Sequence, residues 1–425
     1  MISAGFIPAE SSPDADILII NTCGFIRDAK EESIEAIFDA LEQQRGDSDK
    51  KNMKRFSGSD PAPAMKDFGK KVAVTGCLAQ RYPEQITADI PEIDFLYGIP
   101  DDRFVERMSR QFCVAAGAAA ATREPLSPGQ SYAYIKISEG CSNNCSYCAI
   151  PLIRGGRAPF RPELILDDAR RAAGSGAREL VIVAQDTAQY RWGDTGLPGL
   201  VEGLARIDGV EWIRLMYCHP DHIDERIIET IAGVEKVVHY VDIPFQHVSE
   251  RILRSMGRNG SADRYASLVA RLRERVPDIR IRSTFMVGYP GETEREFSEL
   301  IGFLEEARID RVGAFTYSAE EGTRAWDLGD SVPKRTKKER YGRLMGVQQA
   351  ISAGKLEAMI GSSVRVLVEE RSGERSWTGR TEYDAPEVDG IFYLTGDVAA
   401  VNSIVSARVT GSMEHDLVGE VLTTK

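Results

Sequence analysis

Six short apolar segments, each followed by a helical stretch, constrain the central part of this chain more than any other feature. Apolar strands of this kind are typical of parallel sheets, in which helices make the connections and cover the faces. Strand and helix repetition at this spacing predicts parallel βα units in a barrel or an open sheet, and therefore an α/β fold. The segments lie at 132–137, 180–184, 212–217, 237–243, 279–287 and 311–317.

The regions on either side predict two smaller domains. Strand patterns at 16–20 and 72–74, with a helix at 28–44 whose apolar residues are Ile34, Ile37, Phe38 and Leu41, predict a small parallel α/β domain. A long charged helix at 334–360 precedes short strand patterns at 364–367, 391–394 and 405–409, which predict an all-β module.

Two polar segments are interpreted as connections. Residues 46–71 are Lys-rich and interrupted by Gly and Pro, which predicts a mobile surface insertion, and residues 115–130 have the composition of a linker. The predicted organisation is an N-terminal domain at 1–114, a linker at 115–130, a barrel with its following helix at 131–358 and the β module at 359–425.

The charge balance limits the classes of partner. The 425 residues include 53 basic and 65 acidic ones, for a net charge of −12, which argues against direct nucleic-acid binding and favours a basic partner. We find no apolar run long enough to span a membrane and no export signal at the start. These features predict a cytoplasmic protein that does not enter the membrane.

Three of the seven cysteines are clustered. An odd cysteine count without an export signal favours reduced thiols over disulfides. Cys141, Cys145 and Cys148 have C-x3-C-x2-C spacing in the loop after the first strand of the central repetition. Thiolates select zinc or iron-sulfur clusters, and a structural zinc site normally has four ligands close together. A four-iron cluster with one open iron is the preferred interpretation, and zinc with a distant fourth ligand is the alternative.

With Tyr147 as its aromatic residue, this loop resembles the signature of the radical S-adenosylmethionine enzymes. The resemblance implies a 4Fe-4S cluster on Cys141, Cys145 and Cys148, with the amino and carboxylate groups of S-adenosylmethionine on the free iron. It further implies reductive cleavage of S-adenosylmethionine to a 5′-deoxyadenosyl radical.

Further motifs resemble the methylthiotransferases within that group, over nearly the whole chain. The resemblance implies an N-terminal domain with a second 4Fe-4S cluster, a partial (β/α)6 barrel and a C-terminal, OB-like TRAM module that engages the substrate. The matching stretches are NTCGF at 21–25, TGCL at 75–78, AQDT at 184–187, DIPFQH at 242–247, VGYPGE at 287–292 and EEGT at 320–323.

Cys23 and Cys77 are the candidate ligands of this auxiliary cluster. Each follows an apolar strand, and ligands gather at the carboxyl ends of neighbouring parallel strands. Taken singly, each could instead be a small buried hydrophobic residue. The family's first ligand belongs to a Gly-Cys-Pro-Lys-Asn-like loop that would precede Met1. We expect either a start codon assigned too far downstream, which we prefer, or an incomplete second cluster.

The resemblance also implies cofactor contacts after other barrel strands. Gln185 and Asp186 correspond to contacts with the methionine end of the cofactor, and Gly288, Gly291 and Glu292 to the approach of the adenosyl group. Structural roles for these residues remain the alternative. Arg282 and Tyr317 could point into the barrel toward cofactor or substrate, or belong to its packing. Cys113 and Cys218 are expected to be structural, and His247 a hydrogen-bonding core residue.

The substrate is suggested by the C-terminal module. Its YDAPEVDG segment at 383–390 resembles the signature of the RimO-type branch, which implies methylthiolation of the β-carbon of an aspartate in small-subunit ribosomal protein twelve. Six basic and eleven acidic residues over 361–425 give this module a net charge of −5, which favours a basic ribosomal protein. An electron donor protein is also implied. The alternatives are a transfer-RNA adenosine methylthiotransferase and a non-catalytic metal-cluster binding protein.

Overall fold

A computed structural model describes residues 6–9, 11–55, 69–101, 103–112 and 130–422, and the side chains of these residues apart from 46–55. The chain divides into two compact units. The first comprises Met1–Arg123, Cys148–Gly155 and Glu320–Thr323, and the second comprises Glu124–Tyr147, Gly156–Ala319 and Arg324–Lys425. The domain boundaries inferred from the sequence stay predictions, and Cys113 and most of the expected linker lie outside the described residues.

The first unit contains a three-stranded parallel sheet in the order β1-β2-β3. Ile37 and Leu41 of its long helix pack against Val72 and Val74 of the sheet. The elements in chain order are β1 (Ile17–Thr22), α1 (Arg27–Arg55), β2 (Lys71–Gly76), α2 (Cys77–Arg81), α3 (Pro83–Asp89), β3 (Phe95–Leu96) and α4 (Phe104–Gln111).

One expectation for this region was wrong. Helix α1 continues to Arg55, so residues 46–55 are helical rather than part of an insertion loop, and residues 56–68 of that segment lie outside the described part of the chain. Only half of the predicted apolar face is covered, because Ile37 and Leu41 are buried while Ile34 and Phe38 are 39% and 50% exposed. The stretch 46–55 has good helix formers in Lys, Met and Arg, which allow the helix to continue without an apolar face.

A larger set of elements lies between residues 130 and 357. They are β4 (Tyr132–Lys136), β5 (Ser138–Glu139), α5 (Ile150–Arg154), β6 (Ala158–Pro159), α6 (Pro162–Gly174), β7 (Glu179–Val183), β8 (Arg191–Trp192), β9 (Thr195–Gly196), α7 (Leu197–Ala205), β10 (Trp212–Leu215), α8 (Glu225–Gly233), β11 (Val237–Asp242), α9 (Glu250–Ser255), α10 (Ala262–Arg275), β12 (Arg280–Val287), α11 (Glu294–Ala307), β13 (Arg311–Thr316) and α12 (Lys334–Glu357).

Six of these strands form one parallel sheet, in the order β13-β12-β11-β10-β7-β4. Every neighbouring pair in this sheet is parallel, so the predicted βα repetition is confirmed at all six positions. Because β4 and β13 lie at its two edges, the sheet is an incomplete barrel. Helices cover one face through a large apolar core that includes Ile182, Leu215 and Phe285.

The C-terminal module is a closed five-stranded barrel in the order β14-β15-β16-β18-β17, as the all-β prediction required. The sequence pattern located three of its strands and missed two. In β15, Gly, Thr and Arg hide the apolar alternation, and β18 is a five-residue run interrupted by Gly419 and Glu420. The strands are β14 (Ser363–Arg371), β15 (Ser376–Thr381), β16 (Phe392–Thr395), β17 (Ile404–Ser412) and β18 (Leu417–Val421).

The module packs on the second face of the six-stranded sheet. Leu367 and Ala385 of the module form an apolar cluster with Val181, Trp212 and Tyr240 of the sheet. Beside this cluster, the fully buried Glu179 carboxylate binds two guanidinium groups, that of Arg214 of the sheet at 2.6 Å and that of Arg380 of the module at 2.7 Å. Sheet and module are therefore joined by a shared apolar cluster and a buried ionic contact in the second unit.

In the described part of the chain, no helix is both long enough and apolar enough to cross a membrane.

Candidate functional site

The register of the first sheet brings Cys23 and Cys77 to the same edge. Thr22 lies opposite Gly76 in the parallel pair β1 and β2, and each of the two cysteines is the next residue along its strand. This confirms the expected placement at the carboxyl ends of neighbouring strands. Cys23 is exposed, whereas Cys77 is 9% exposed.

The two loops touch through their backbones. A Cβ atom added to Gly24 would lie 2.8 Å from the Leu78 nitrogen and 2.9 Å from the Cys77 carbonyl carbon, so only glycine allows this approach. Ser33 of α1 accepts a hydrogen bond from the Cys23 N–H at 2.9 Å. The position of Cys23 relative to Cys77 is therefore fixed by the local backbone.

The segment Cys148–Gly155 packs against Cys77. Ala149 and Ile153 form a small buried cluster with Cys77, and Ile99 contacts that cluster. Arg154, at the end of α5, donates a hydrogen bond from its guanidinium group to Cys77 Sγ at 3.1 Å.

The EEGT segment at 320–323 fixes the loops of the same unit. The buried Glu320 carboxylate lies 2.7 Å from Lys30 Nζ and 2.8 Å from Arg81 Nη1. Arg81 also donates to the Gly24 carbonyl oxygen at 3.0 Å. This carboxylate thus connects α1, α2 and the loop that carries Cys23.

In the second unit, the loop carrying Cys141 and Cys145 follows β4 and β5 and is anchored by hydrogen bonds from several directions. The Ser146 N–H donates to the Met256 carbonyl oxygen, and the Ala325 N–H donates to the Ser146 carbonyl oxygen, both at 2.8 Å. Ser146 Oγ lies 2.8 Å from the Tyr289 hydroxyl. The Asn143 N–H is directed at Cys141 Sγ at 3.4 Å, and burial raises the pKa of the Cys141 thiol.

Arg258 is a residue of this loop's surroundings that sequence reasoning missed. It is 5% exposed, donates to the Pro244 carbonyl oxygen at 2.7 Å and approaches Cys145 Sγ at 3.8 Å and the Tyr147 hydroxyl at 3.4 Å. Burial lowers the pKa of Arg258, but attraction to Tyr147 and Cys145 outweighs it and the net shift is upward. Its position after α9, far along the chain from the cysteines, gave no local signal.

Asp186 binds the cysteine loop from the neighbouring strand. Its carboxylate accepts hydrogen bonds from Asn143 Nδ2 at 2.8 Å and from the His219 N–H at 3.3 Å, and it lies 2.7 Å from His222 Nδ1. Burial raises the pKa of Asp186, but hydrogen bonds from His222 and Asn143 outweigh it and the net shift is downward. Burial also lowers the pKa of His219 to about 3.

Gln185, beside Asp186, has a side-chain amide oxygen that can accept a hydrogen bond. Its Nε2 donates to Glu139 at 3.3 Å, while the buried Oε1 has no hydrogen-bond partner among the residues that the structure describes. A buried amide oxygen of this kind suits a ligand that donates a hydrogen bond.

The glycine loop after β12 is held by α12. Glu292 accepts hydrogen bonds from the Gly288 N–H at 2.8 Å and from Arg340 at 2.7 Å. Gly288 has a φ of +74°, and a Cβ atom there would lie 2.3 Å from Lys337 Cγ. Gly291 contacts Arg251 and Ser331 through its carbonyl and N–H groups.

Arg282 binds the C-terminal module. Its guanidinium group lies 2.7 Å from the Asp389 carboxylate, which also accepts a hydrogen bond from the Tyr240 hydroxyl at 2.6 Å. Asp384 of the same signature is 2.8 Å from Arg311. Both carboxylates are paired with arginines of the sheet, and their side chains are 7% exposed at Asp384 and 1% exposed at Asp389.

The remaining sequence predictions concern packing residues. Cys218 is fully buried in the main core, and burial raises the pKa of its thiol well above the ordinary value. Tyr317 is 3% exposed and its hydroxyl donates to the Ala325 carbonyl oxygen at 3.0 Å. His247 is buried and accepts the Ser249 N–H at 3.0 Å.

The donor chemistry of the cysteines fits iron-sulfur clusters. All six cysteines in the described ranges are free thiols. Hydrogen-bond donors lie against the sulfur atoms of Cys77, Cys141 and Cys145. Such N–H groups stabilise the negative charge of cluster-bound sulfur and contribute to the reduction potential.

Three family models match the chain: the Radical SAM superfamily over residues 135–304, the TRAM domain over 360–422 and uncharacterized protein family UPF0004 over 1–98. Among solved structures, the radical S-adenosylmethionine methyltransferase TsrM from Kitasatospora setae matches with a TM-score of 0.48 and 14% identity, covering 60% of this chain and 58% of that one.

The chain is also similar to curated proteins named ribosomal protein uS12 methylthiotransferase RimO. The protein from Desulforudis audaxviator is 41% identical over 430 residues, covering 97% of this chain and 90% of the relative. The protein from Pelotomaculum thermopropionicum is 40% identical, covering 99% of this chain and 94% of the relative. The protein from Geobacter sulfurreducens is 40% identical, covering 96% and 91%.

Proposed function

Because the chain belongs to the RimO family of radical S-adenosylmethionine methylthiotransferases, we propose that it adds a methylthio group to the β-carbon of an aspartate in ribosomal protein uS12. The observation that carries this proposal is the anchored cysteine loop at the carboxyl end of the first strand of the parallel sheet. Loops at that end of βα units are where such folds assemble their active sites.

We assign one 4Fe-4S cluster to Cys141, Cys145 and Cys148 and an auxiliary 4Fe-4S cluster to Cys23 and Cys77, with a ligand beyond these two cysteines. When bound, the first cluster supplies the electron that cleaves S-adenosylmethionine. The hydrogen bonds from Asn143 and the nearby Arg258 support this assignment, because both compensate negative charge on the loop sulfurs.

Other residues of this chain hold the cofactor side of the site in place. The buried Oε1 of Gln185 can accept a hydrogen bond from the amino group of S-adenosylmethionine. Asp186 fixes the cysteine loop through Asn143, and Glu292 fixes the glycine loop through Gly288 and Arg340. Since these carboxylates are satisfied by protein donors, we assign them positioning roles toward the cofactor. Arg282 positions the module through Asp389.

The proposed partners are a basic ribosomal protein and an electron donor protein, in the cytoplasm. S-adenosylmethionine is used twice, once as the source of the methyl group and once as the source of the radical. With Asp384 and Asp389 paired internally, recognition of a basic substrate falls to exposed acidic residues of the module. Glu387 is one of them, and it is held at the surface by the Tyr132 hydroxyl at 2.7 Å.

The test is a mass measurement on two substrates. Reconstituted protein is incubated with S-adenosylmethionine, sulfide as the sulfur source, a reductant and either purified uS12 or transfer RNA. Each product is analysed for one added methylthio group. We expect the gain on an aspartate of uS12 and none on RNA. The Cys145→Ala variant serves as the control that lacks the first cluster. A gain on RNA alone, or zinc in place of iron and sulfide in the reconstituted protein, would contradict the proposal.

A further inference from the structure

Among the residues described in the first unit, Arg154 is the one arginine whose guanidinium group contacts the sulfur of a proposed auxiliary ligand. One of its terminal nitrogens lies 3.1 Å from Cys77 Sγ. Arginine keeps its positive charge at every accessible pH and donates in a fixed planar geometry, so this contact persists whether the sulfur is a thiol or a bound thiolate.

The position of Arg154 follows from the packing of α5. Ala149 and Ile153 are 0% and 4% exposed and bury the helix against Cys77. The helix ends at Gly155, whose φ of +72° is a left-handed conformation that favours glycine. Because the helix is packed on Cys77 and stops directly after Arg154, its last side chain reaches the sulfur.

The same short segment begins with Cys148, a proposed ligand of the other cluster. Cys148 and Arg154 both belong to the segment Cys148–Gly155, which the contacts of the chain group with the first unit. One short segment therefore carries both Cys148, a proposed ligand of the first cluster, and Arg154, which donates a hydrogen bond to the proposed auxiliary ligand Cys77.

We propose that Arg154 is a positioning residue for the auxiliary cluster, which orients the Cys77 thiolate and raises the reduction potential of the cluster. This rests on the proposed function, because it requires an auxiliary cluster on Cys77. Hydrogen bonds to ligating sulfur and nearby positive charge stabilise the more reduced, more negative state of an iron-sulfur cluster. Loss of the hydrogen bond and of the positive charge is expected to lower the reduction potential of the auxiliary cluster.

The experiment isolates the auxiliary cluster in the full chain. A Cys141→Ala, Cys145→Ala background removes the first cluster while keeping Cys148 and its segment. Into this background we introduce Arg154→Gln, which removes the charge, Arg154→Lys, which retains it, and Arg45→Gln as a matched charge control at an exposed site of the same unit. Iron and sulfide per chain, thermal melting and the potential from an EPR-monitored redox titration are measured for each.

We expect about four irons per chain in the background, a potential shifted to more negative values by Arg154→Gln, a smaller shift by Arg154→Lys and none by Arg45→Gln. Loss of iron in Arg154→Gln that Arg154→Lys restores, with unchanged melting, would also support the proposal. An unchanged potential in both Arg154 variants would overturn it, as would iron loss in both with lowered melting temperature. If the Cys141→Ala, Cys145→Ala protein binds no iron, the auxiliary cluster of the proposed function is refuted. That outcome differs from an unchanged potential, which overturns only the role of Arg154.

Discussion

An arginine lies against a proposed cluster cysteine in each unit, and the two arginines are held in different ways. Arg258, near Cys145, is buried and donates to the Pro244 carbonyl oxygen as well as approaching Tyr147. Arg154, on Cys77, is only partly buried and projects from the end of a five-residue helix. One guanidinium group is therefore part of a folded core, whereas the other is carried by a short segment, and its removal should cost little stability.

The buried carboxylates of the two units differ in a similar way. Glu179 in the second unit is fully buried between Arg214 and Arg380, whose side chains are 0% and 4% exposed. Glu320 in the first unit is also buried, but the Lys30 side chain that binds it is 20% exposed. Water can therefore compensate part of a loss at Glu320 and none at Glu179.

The largest expected effects are losses of activity, and they distinguish the cysteine loop of the second unit from Cys77 of the first. Cys145→Ala should abolish 5′-deoxyadenosine formation, because the first cluster supplies the cleaving electron. Cys77→Ala should retain that cleavage and lose methylthio transfer, because only the auxiliary cluster is affected. Chromatographic quantification of 5′-deoxyadenosine and mass analysis of uS12 measure the two steps separately. Retained cleavage in Cys145→Ala would refute the assignment of the first cluster.

Replacement of the Glu179 carboxylate tests the buried ionic contact between sheet and module. Glu179→Gln should lower the free energy of unfolding by about 3–5 kcal/mol, since the fully buried Arg214 guanidinium group loses its counter-charge and Arg380 keeps only Glu369. Glu320→Gln should lie below that range because of the exposure of Lys30. Urea denaturation gives both values, and Arg45→Gln, at an exposed pair, should change stability by less than about 1 kcal/mol. Equal losses of unfolding free energy in Glu179→Gln and Glu320→Gln would contradict the proposed difference between the two buried carboxylates.

Removal of Arg258 tests whether it belongs to the folded core. Arg258→Met should cost about 2–3 kcal/mol, because the buried Pro244 carbonyl oxygen loses its guanidinium donor. Arg154→Met should cost less than about 1 kcal/mol, since Arg154 is partly exposed and its helix is held by apolar contacts. Chemical denaturation of cluster-free protein measures both. A larger loss of stability in Arg154→Met than in Arg258→Met would show that Arg154, and not Arg258, belongs to the folded core.

Asp242 provides a pH-dependent test in the second unit. Burial raises the pKa of this carboxyl to about 6, against the attraction of Arg282. The folded state therefore binds a proton between about pH 4 and pH 6 that the unfolded chain does not, and stability falls as pH rises through that range. Asp242→Asn should be more stable than the parent at pH 8 by about 1–2 kcal/mol and lose this advantage by pH 4. A difference independent of pH would show that the carboxyl does not titrate there.

The smallest expected effect compares two isoleucines on helix α1. Ile37→Val should cost about 1 kcal/mol because Ile37 is fully buried against the sheet. Ile34→Val should be nearly neutral, because Ile34 is 39% exposed. Denaturation midpoints of the two variants provide the measurement, and equal costs would indicate that Ile34 is also covered in solution.

Much of the fold was determined by the sequence alone. The six parallel strands, the all-β character of the C-terminal module and the cysteine loops are local features, in which an apolar run or a fixed spacing carries the information. The placement of Cys23 and Cys77 on one sheet edge also followed, because parallel neighbouring strands end at the same side. The extension of α1 to Arg55 and strand β15 did not follow, because their residues lack a clear apolar period, and β18 was missed because it is short and interrupted by Gly419 and Glu420.

Tertiary structure alone decided which charged side chains meet. The acidic signature at 383–390 looks like a solvent-facing surface in sequence, yet Asp384 and Asp389 are paired with Arg311 and Arg282, which lie 73 and 107 residues away. Arg258 and Arg154 lie 113 and 77 residues from the cysteines they contact. Contacts over such separations depend on how whole elements pack, and a charged residue has the same local pattern whether its partner is water or a distant side chain.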